Sequence, residues 1–207
     1  MEFYIKEYCG DFQFDYVEHI SLEIADISID IDVYEAEKII DGIMHCRERA
    51  NVIFRKNGAA YICELFEEHG YKNSFFEVNL KGCSYICFRK TLYGFTLLDT
   101  ETLTETYNYI PKAMLNGEES FIIVDVKQLG DLLILEGCYW AYPYECFVFD
   151  IDKKLFVNIS KFLNMESLEE ASVNGNKLIL TDTDGVTKEI SKEDIARLIC
   201  ENGCAEI

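Results

Sequence analysis

The side chains able to do chemistry are scattered along this chain. His19, His45 and His69 are far apart, and no two have the i, i+4 spacing that lets one helix face hold a metal. Cys83 and Cys87, like Cys200 and Cys204, stand four apart, without the two-residue gap of zinc knuckles or dithiol redox motifs. His45-Cys46 brings a base next to a nucleophile, but adjacent residues of a helix point in different directions. Asp182-Thr-Asp184-Gly185 copies part of a calcium loop. Its first position would be Leu180 and its twelfth Ser191, neither a carboxylate, so it reads as a hairpin turn. No phosphate-cradling glycine loop, dinucleotide fingerprint or nucleophile elbow occurs. These residues point to no metal, no cofactor and no catalytic group.

Two constellations remain. Asp30 and Asp32, with Ser28, share the polar side of an alternating run, and paired carboxylates serve as acid and base when burial separates their pKa values. Alternation alone already predicts them as a solvated strand face, the favoured reading, with a hydrolase as the alternative. The segment Gly137–Glu145 holds the only tryptophan, Trp140, among Tyr139, Tyr142 and Tyr144, and ends in Glu145. Between two apolar strands it reads as an aromatic loop with the composition of an interaction hot spot. Tyr139, Trp140, Tyr142, Tyr144 and Glu145 are the candidate partner-binding residues, with a carbohydrate or small-molecule platform as a further alternative.

The elements that must position these residues are mostly strands. From Ile20 to Val33 apolar and polar residues alternate, slipping one step at Ala25-Asp26, where a turn or bulge belongs. Ala36, Ile39, Ile40, Ile43 and Met44 then fall at i, i+3, i+4, i+7 and i+8, the stripe of an amphipathic helix, with Arg47 and Arg49 near its C-terminal end. Asn57-Gly58 predicts a hairpin turn. Later runs such as Tyr85-Ile-Cys-Phe, Leu132-Leu-Ile-Leu and Lys177-Leu-Ile-Leu are short and nearly continuous in their apolar residues, as strands covered on both faces are. Ser191 with Asp194 predicts a capped helix that ends at Asn202-Gly203.

Composition bounds the setting. The 207 residues include 14 Phe and 13 Tyr, enough for a large core, with two prolines and no linker-like stretch. A single domain over 1–207 is expected: a strand-helix part at 1–50, blade-like β repeats at 51–190 and a C-terminal helix at 191–202. The net charge of −19 repels nucleic acid and anionic lipid and attracts a basic protein. The first residues lack the basic and apolar regions of a secretory signal, no apolar run is long enough to span a bilayer, and the nine cysteines are odd in number. Free thiols and a cytoplasmic location are expected.

A weak repeat runs through the β region: an apolar strand, a second strand ending in Asp, a polar turn and a third strand. It appears at Tyr85–Leu103 with Asp99, at Leu132–Leu155 with Asp150, and in shorter form around Asp182. With Glu136–Glu145, this pattern resembles small, uncharacterised bacterial β-propeller-like proteins over about residues 81–190. The resemblance implies blade-like hairpins and brings no activity or catalytic residues. Closed propellers need four or more blades, so stacked antiparallel sheets in an incomplete propeller or sandwich-like arrangement, with two short helices, are expected. The function this predicts is a cytosolic, non-enzymatic interaction module with an acidic surface, of which an immunity-type protein binding a basic partner is one example.

Overall fold

The computed structural model describes residues 9–66, 71, 74–110, 121–139, 141–165 and 167–204. The chain forms two compact units, one of residues 1–77 and 84–118, the other of 78–83 and 119–207. It is mainly β, and the described residues form antiparallel hairpin sheets with two short helices and no closed barrel. No helix among the described residues is long and apolar enough to cross a membrane.

Alternation builds the first sheet, of order β1-β2-β3-β4: β1 (Asp15–Ile24), β2 (Ile27–Ile40), β3 (Ile43–Lys56) and β4 (Ala59–Phe66). The phase slip is the β1–β2 turn, where Ala25 and Asp26 both have positive φ, and Asn57-Gly58 turns β3 into β4 as predicted. Ile27, Ile29, Ile31 and Val33 alternate with polar residues and are buried. They pack with Val52, Phe54 and Leu65 and with Phe75, Ile86, Phe88 and Leu98 of the second sheet, whose order is β5 (Phe75–Leu80), β6 (Cys83–Phe88), β7 (Phe95–Asp99) and β8 (Glu105–Tyr109). The Phe54 ring touches Phe75 and Phe88 at centroid distances of 5.7 and 5.1 Å, adding aromatic contact to the area buried.

The helix predicted over Ala36–Met44 does not form. Those residues are the end of β2, a two-residue turn at Asp41-Gly42 and the start of β3, paired Ile40 to Ile43, Ile39 to Met44 and Ala36 to Arg47. A hairpin mirrors its sequence about the turn, so apolar residues flanking Asp-Gly satisfy helical spacing by coincidence. Gly42 at φ +80° and Asp41 at φ +51° settle the competition, because a helix needs negative φ throughout. Arg47 and Arg49 are accordingly strand residues, not helix-end residues.

The second unit contains β9 (Ile122–Leu129), β10 (Leu132–Tyr139), β11 (Ala141–Asp150), β12 (Leu155–Asn158), β13 (Leu168–Asn174), β14 (Lys177–Asp182) and β15 (Thr187–Ser191). They form one sheet in which β11 meets β13 at the single pair Tyr144–Leu168. The unit's two helices among the described residues are α1 (Ile159–Phe162) and α2 (Lys192–Asn202). Val148, Leu178, Leu180, Ile195 and Ile199 are fully buried in its core. The capping box of α2 is as predicted: Ser191 Oγ accepts from the Asp194 N–H at 3.1 Å and donates to the Asp194 carboxylate at 2.8 Å.

The Asp-ended repeat has a structural cause. Asp99, Asp150 and Asp182 end β7, β11 and β14, and each carboxylate accepts from backbone N–H groups in the turn that follows. The donors are Glu101 and Thr102 for Asp99, Asp152 and Lys153 for Asp150, and Asp184 and Val186 for Asp182, all between 2.8 and 3.1 Å. The short polar side chain stands in for a backbone carbonyl and fixes each hairpin. The segment that copied part of a calcium loop is thus the β14–β15 turn.

Candidate functional site

Exposed apolar groups carry information only when they are contiguous. One such group is the distal end of the β2–β3 hairpin. Among the described residues β1 last pairs with β2 at Glu35 and β4 last pairs with β3 at Arg49, so 36–48 continue as a two-stranded ribbon beyond the described parts of both flanking strands. Four large apolar side chains crowd its tip: Ile39, Ile40, Ile43 and Met44 are 72%, 38%, 64% and 62% exposed. Ile39 and Met44 form a cross-strand pair on one face, Ile40 and Ile43 on the other.

The two faces of the ribbon differ in charge. The face that continues the core side of the sheet carries Glu35, Glu37, Cys46 and Glu48 behind Ile39 and Met44. The opposite face carries Lys38, His45 and Arg47, and it is partly occupied: Lys38 pairs with Asp11, and the Lys38 ammonium and Arg47 guanidinium each lie 5.7 Å from the Phe12 ring centroid. A shallow cavity of about 180 Å³ is lined by Glu35, Glu37, Cys46 and Glu48, with Ala36 and Arg47. The more open side of the ribbon is therefore acidic with an apolar end. The sequence hid this surface by making its residues look like the buried stripe of a helix; the Asp41-Gly42 dipeptide was the signal that identified them.

The aromatic segment is a hairpin, not a loop. Tyr139 closes β10, and Ala141–Glu145 are the first residues of β11, with Tyr139 opposite Ala141 and Gly137 opposite Glu145. Aromatic residues fit a pleated surface, which is why the segment extends both strands. Pro143 sits beside the register shift between Gly137 and Tyr139, where its missing N–H leaves the ladder intact. Tyr139 is 44% exposed, its ring edge-on to Phe121 at 5.5 Å. Tyr144 packs half-buried against the second unit's core, and Glu145 accepts from Asn158 Nδ2 with the Lys161 ammonium 3.8 Å away. Trp140 and the side chain of Tyr142 lie outside the described residues.

Asp30 and Asp32 acquire partners that sequence reasoning missed. On the outer face of the first sheet His19 Nδ1 lies 2.8 Å from Asp32 Oδ1 and His19 Nε2 3.0 Å from Ser21 Oγ, while Ser21 Oγ donates to Asp30 at 3.0 Å and Arg55 pairs with Asp30. This Ser–His–Asp order is set by adjacent strands: Ser21 faces Asp30 and His19 faces Asp32 across the β1–β2 ladder. Ser21 is exposed, His19 nearly half exposed, and none of these residues lines a cavity described in this unit. Acyl-transfer chemistry also needs donors aimed at a developing oxyanion, which a strand face with its N–H groups in the ladder does not present. The network links β1 to β2 across their ladder, each such pair contributing about 0.2–1 kcal/mol.

No family model matches the chain, and no curated protein does. A solved structure titled "Crystal structure of HIRA(644-1017)" is similar over 87% of this chain and 56% of that one, at 11% identity and a TM-score of 0.37. The chain thus spans little more than half the length of that structure, and a likeness of this size assigns neither family nor activity.

Proposed function

We propose that this is a cytosolic, non-catalytic interaction module that binds a basic protein, with the β2–β3 ribbon as its primary contact. The supporting observation is the exposed apolar tip of Ile39, Ile40, Ile43 and Met44 in a chain of net charge −19. Large exposed apolar side chains backed by carboxylates fit a partner that offers a hydrophobic pocket rimmed by Lys or Arg: charge speeds encounter and apolar burial sets residence. An immunity-type role, neutralising a basic toxin, is the more specific form of this proposal. The Tyr139–Glu145 hairpin is the second proposed contact.

The test compares the wild-type chain with an Ile39→Glu/Met44→Glu variant as bait in the native cell extract at low and high salt. A basic protein retained by the wild type, lost from the variant and released by salt is expected. Equal retention by both baits would remove the ribbon from the proposal.

A further inference from the structure

β4 is the outer strand of the first sheet, and its edge differs from the opposite one. The β1 edge is broken by a register shift between Tyr16 and Glu18, a device that discourages pairing with other chains. β4 pairs with β3 without interruption from Phe66 to Ala59, and its sequence, Ala-Ala-Tyr-Ile-Cys-Glu-Leu-Phe, contains no proline and no lysine. Ile62, in mid-strand, is 67% exposed.

The edge borders a groove. A cavity of about 380 Å³ separates β4 from β8, the outer strand of the second sheet, with Ile62, Glu64 and Phe66 on one wall and Asn108 and Ile110 on the other. At its base the Glu105 carboxylate accepts from both the Tyr61 hydroxyl and the Lys90 ammonium, so these three polar groups satisfy one another. Burial opposes the charge on Glu105, yet the hydrogen bonds from Lys90 and Tyr61 outweigh it and hold its carboxyl below the ordinary value. Burial, reinforced by Glu105, raises the Tyr61 phenol and keeps it a donor. The exposed carboxylate bordering the groove is Glu64, whose side chain is 51% exposed and has the Arg49 guanidinium 4.0 Å away, a long surface pair that a basic ligand can compete with.

Backbone direction completes the picture. The Phe66 N–H turns away from β3 and donates to the Lys90 carbonyl at 2.9 Å. In an antiparallel ladder such groups alternate, so the N–H and C=O of Glu64 and Ile62 share that direction and face the groove. Among the described residues no backbone group accepts from or donates to them there. Among the described residues β4 is thus a ladder with one rail unpaired, beside an apolar groove and a half-exposed carboxylate.

We infer that the β4 edge is a strand-addition site for an extended peptide carrying alternating basic and apolar side chains, its main chain pairing with Ile62 and Glu64. Main-chain hydrogen bonds supply affinity in this mode and the groove supplies selectivity. A second copy of this chain could offer the same edge, but two bodies of charge −19 repel, whereas a basic strand is attracted. The inference takes only the sign of the partner's charge from the proposed function; its surface is separate from the ribbon.

The probe is a capped Lys-Val-Lys-Val-Lys-Val hexapeptide, read through the amide signals of Ile62 and Glu64. Saturating peptide is expected to slow exchange of both amides by tenfold or more. A version N-methylated on alternate residues should fail to protect them, and Glu64→Lys should weaken binding by fivefold or more. The Ile39→Glu/Met44→Glu variant should bind the peptide like the wild type, which separates this test from that of the ribbon. No protection at millimolar peptide, equal protection by the N-methylated peptide, equal binding of a Glu-Val counterpart, or β4 amides protected by self-association without peptide would each overturn the inference.

Discussion

Gly137→Ala tests whether the second unit is packed as described. Gly137 lies in β10 between β9 and β11, with register shifts beside it on both ladders. A methyl group there would sit 2.0 Å from the Ile122 carbonyl oxygen and 2.9 Å from Phe121 Cζ. Reaching ordinary contact at 3.4 Å requires the oxygen to recede by about 1.4 Å, the difference between 3.4 and 2.0, which strains the β9–β10 ladder. The Phe121 ring cannot yield instead, because it is fully buried and packed at 4.6 Å on Phe147. Overpacking of about 1–3 kcal/mol plus about one ladder hydrogen bond, roughly 1 kcal/mol, gives a loss of about 2–4 kcal/mol. At about 2–4 °C per kcal/mol for a chain of this size, thermal unfolding should fall by roughly 5–15 °C. Gly175→Ala is the control: its φ is +58° but nothing lies within 4 Å, so only a backbone cost of about 1 kcal/mol is expected. Calorimetry of the two variants decides. Gly137→Ala within 2 °C of wild type, or less damaging than Gly175→Ala, would refute the close approach of β9 to β10.

Other expectations follow from the same geometry. Gly42→Ala would favour a helix by about 1 kcal/mol, but at φ +80° it should speed amide exchange in the ribbon; slower exchange would restore the helical alternative. Asp99→Ala should cost about 1 kcal/mol in urea unfolding and Asp99→Asn less, since an amide oxygen can still accept. Backbone hydrogen bonds, first from Thr102, hold the Asp99 carboxyl below 3.8, so its contribution is present above that pH and lost as pH falls through the lower folded value; an Asp99→Ala penalty unchanged at pH 2 would contradict this. In a disulfide-exchange titration at pH 8, exposed Cys46, Cys83, Cys200 and Cys204 should react with the folded protein, while buried Cys87, its thiol pushed up to about 12 by burial, should wait for denaturant. Trp140→Ala should weaken partner binding by ~2 kcal/mol in calorimetry without shifting thermal unfolding; unchanged affinity removes the aromatic hairpin from the interface.

Much of the fold was legible because several local signals agree. Alternation from Ile20 to Val33, its slip at Ala25-Asp26, Asn57-Gly58 and the Ser191–Asp194 box all read as they stand in the structure. The Asp-ended repeat was visible too, and its reason emerged with the turn amides that each carboxylate accepts from. Residues 36–44 failed because one spacing suits two periods, and the turn dipeptide outranked it. Residues 137–145 failed because Trp, Tyr and Pro suggest a loop by composition, although Tyr is also a good strand residue. The His19–Asp32 and Ser21–Asp30 pairs depended on which residues face each other across two strands, a relation visible only once register is fixed.

The ribbon has a mechanical consequence. Among the described residues the first sheet narrows from four strands to two beyond Glu35 and Arg49, and a two-stranded hairpin alone is marginal in water. Its end can therefore fray while the sheet behind it stays intact. A protease added at low ratio should nick the chain first around Asp41-Gly42, and a bound partner should close that cut site before it changes anything else.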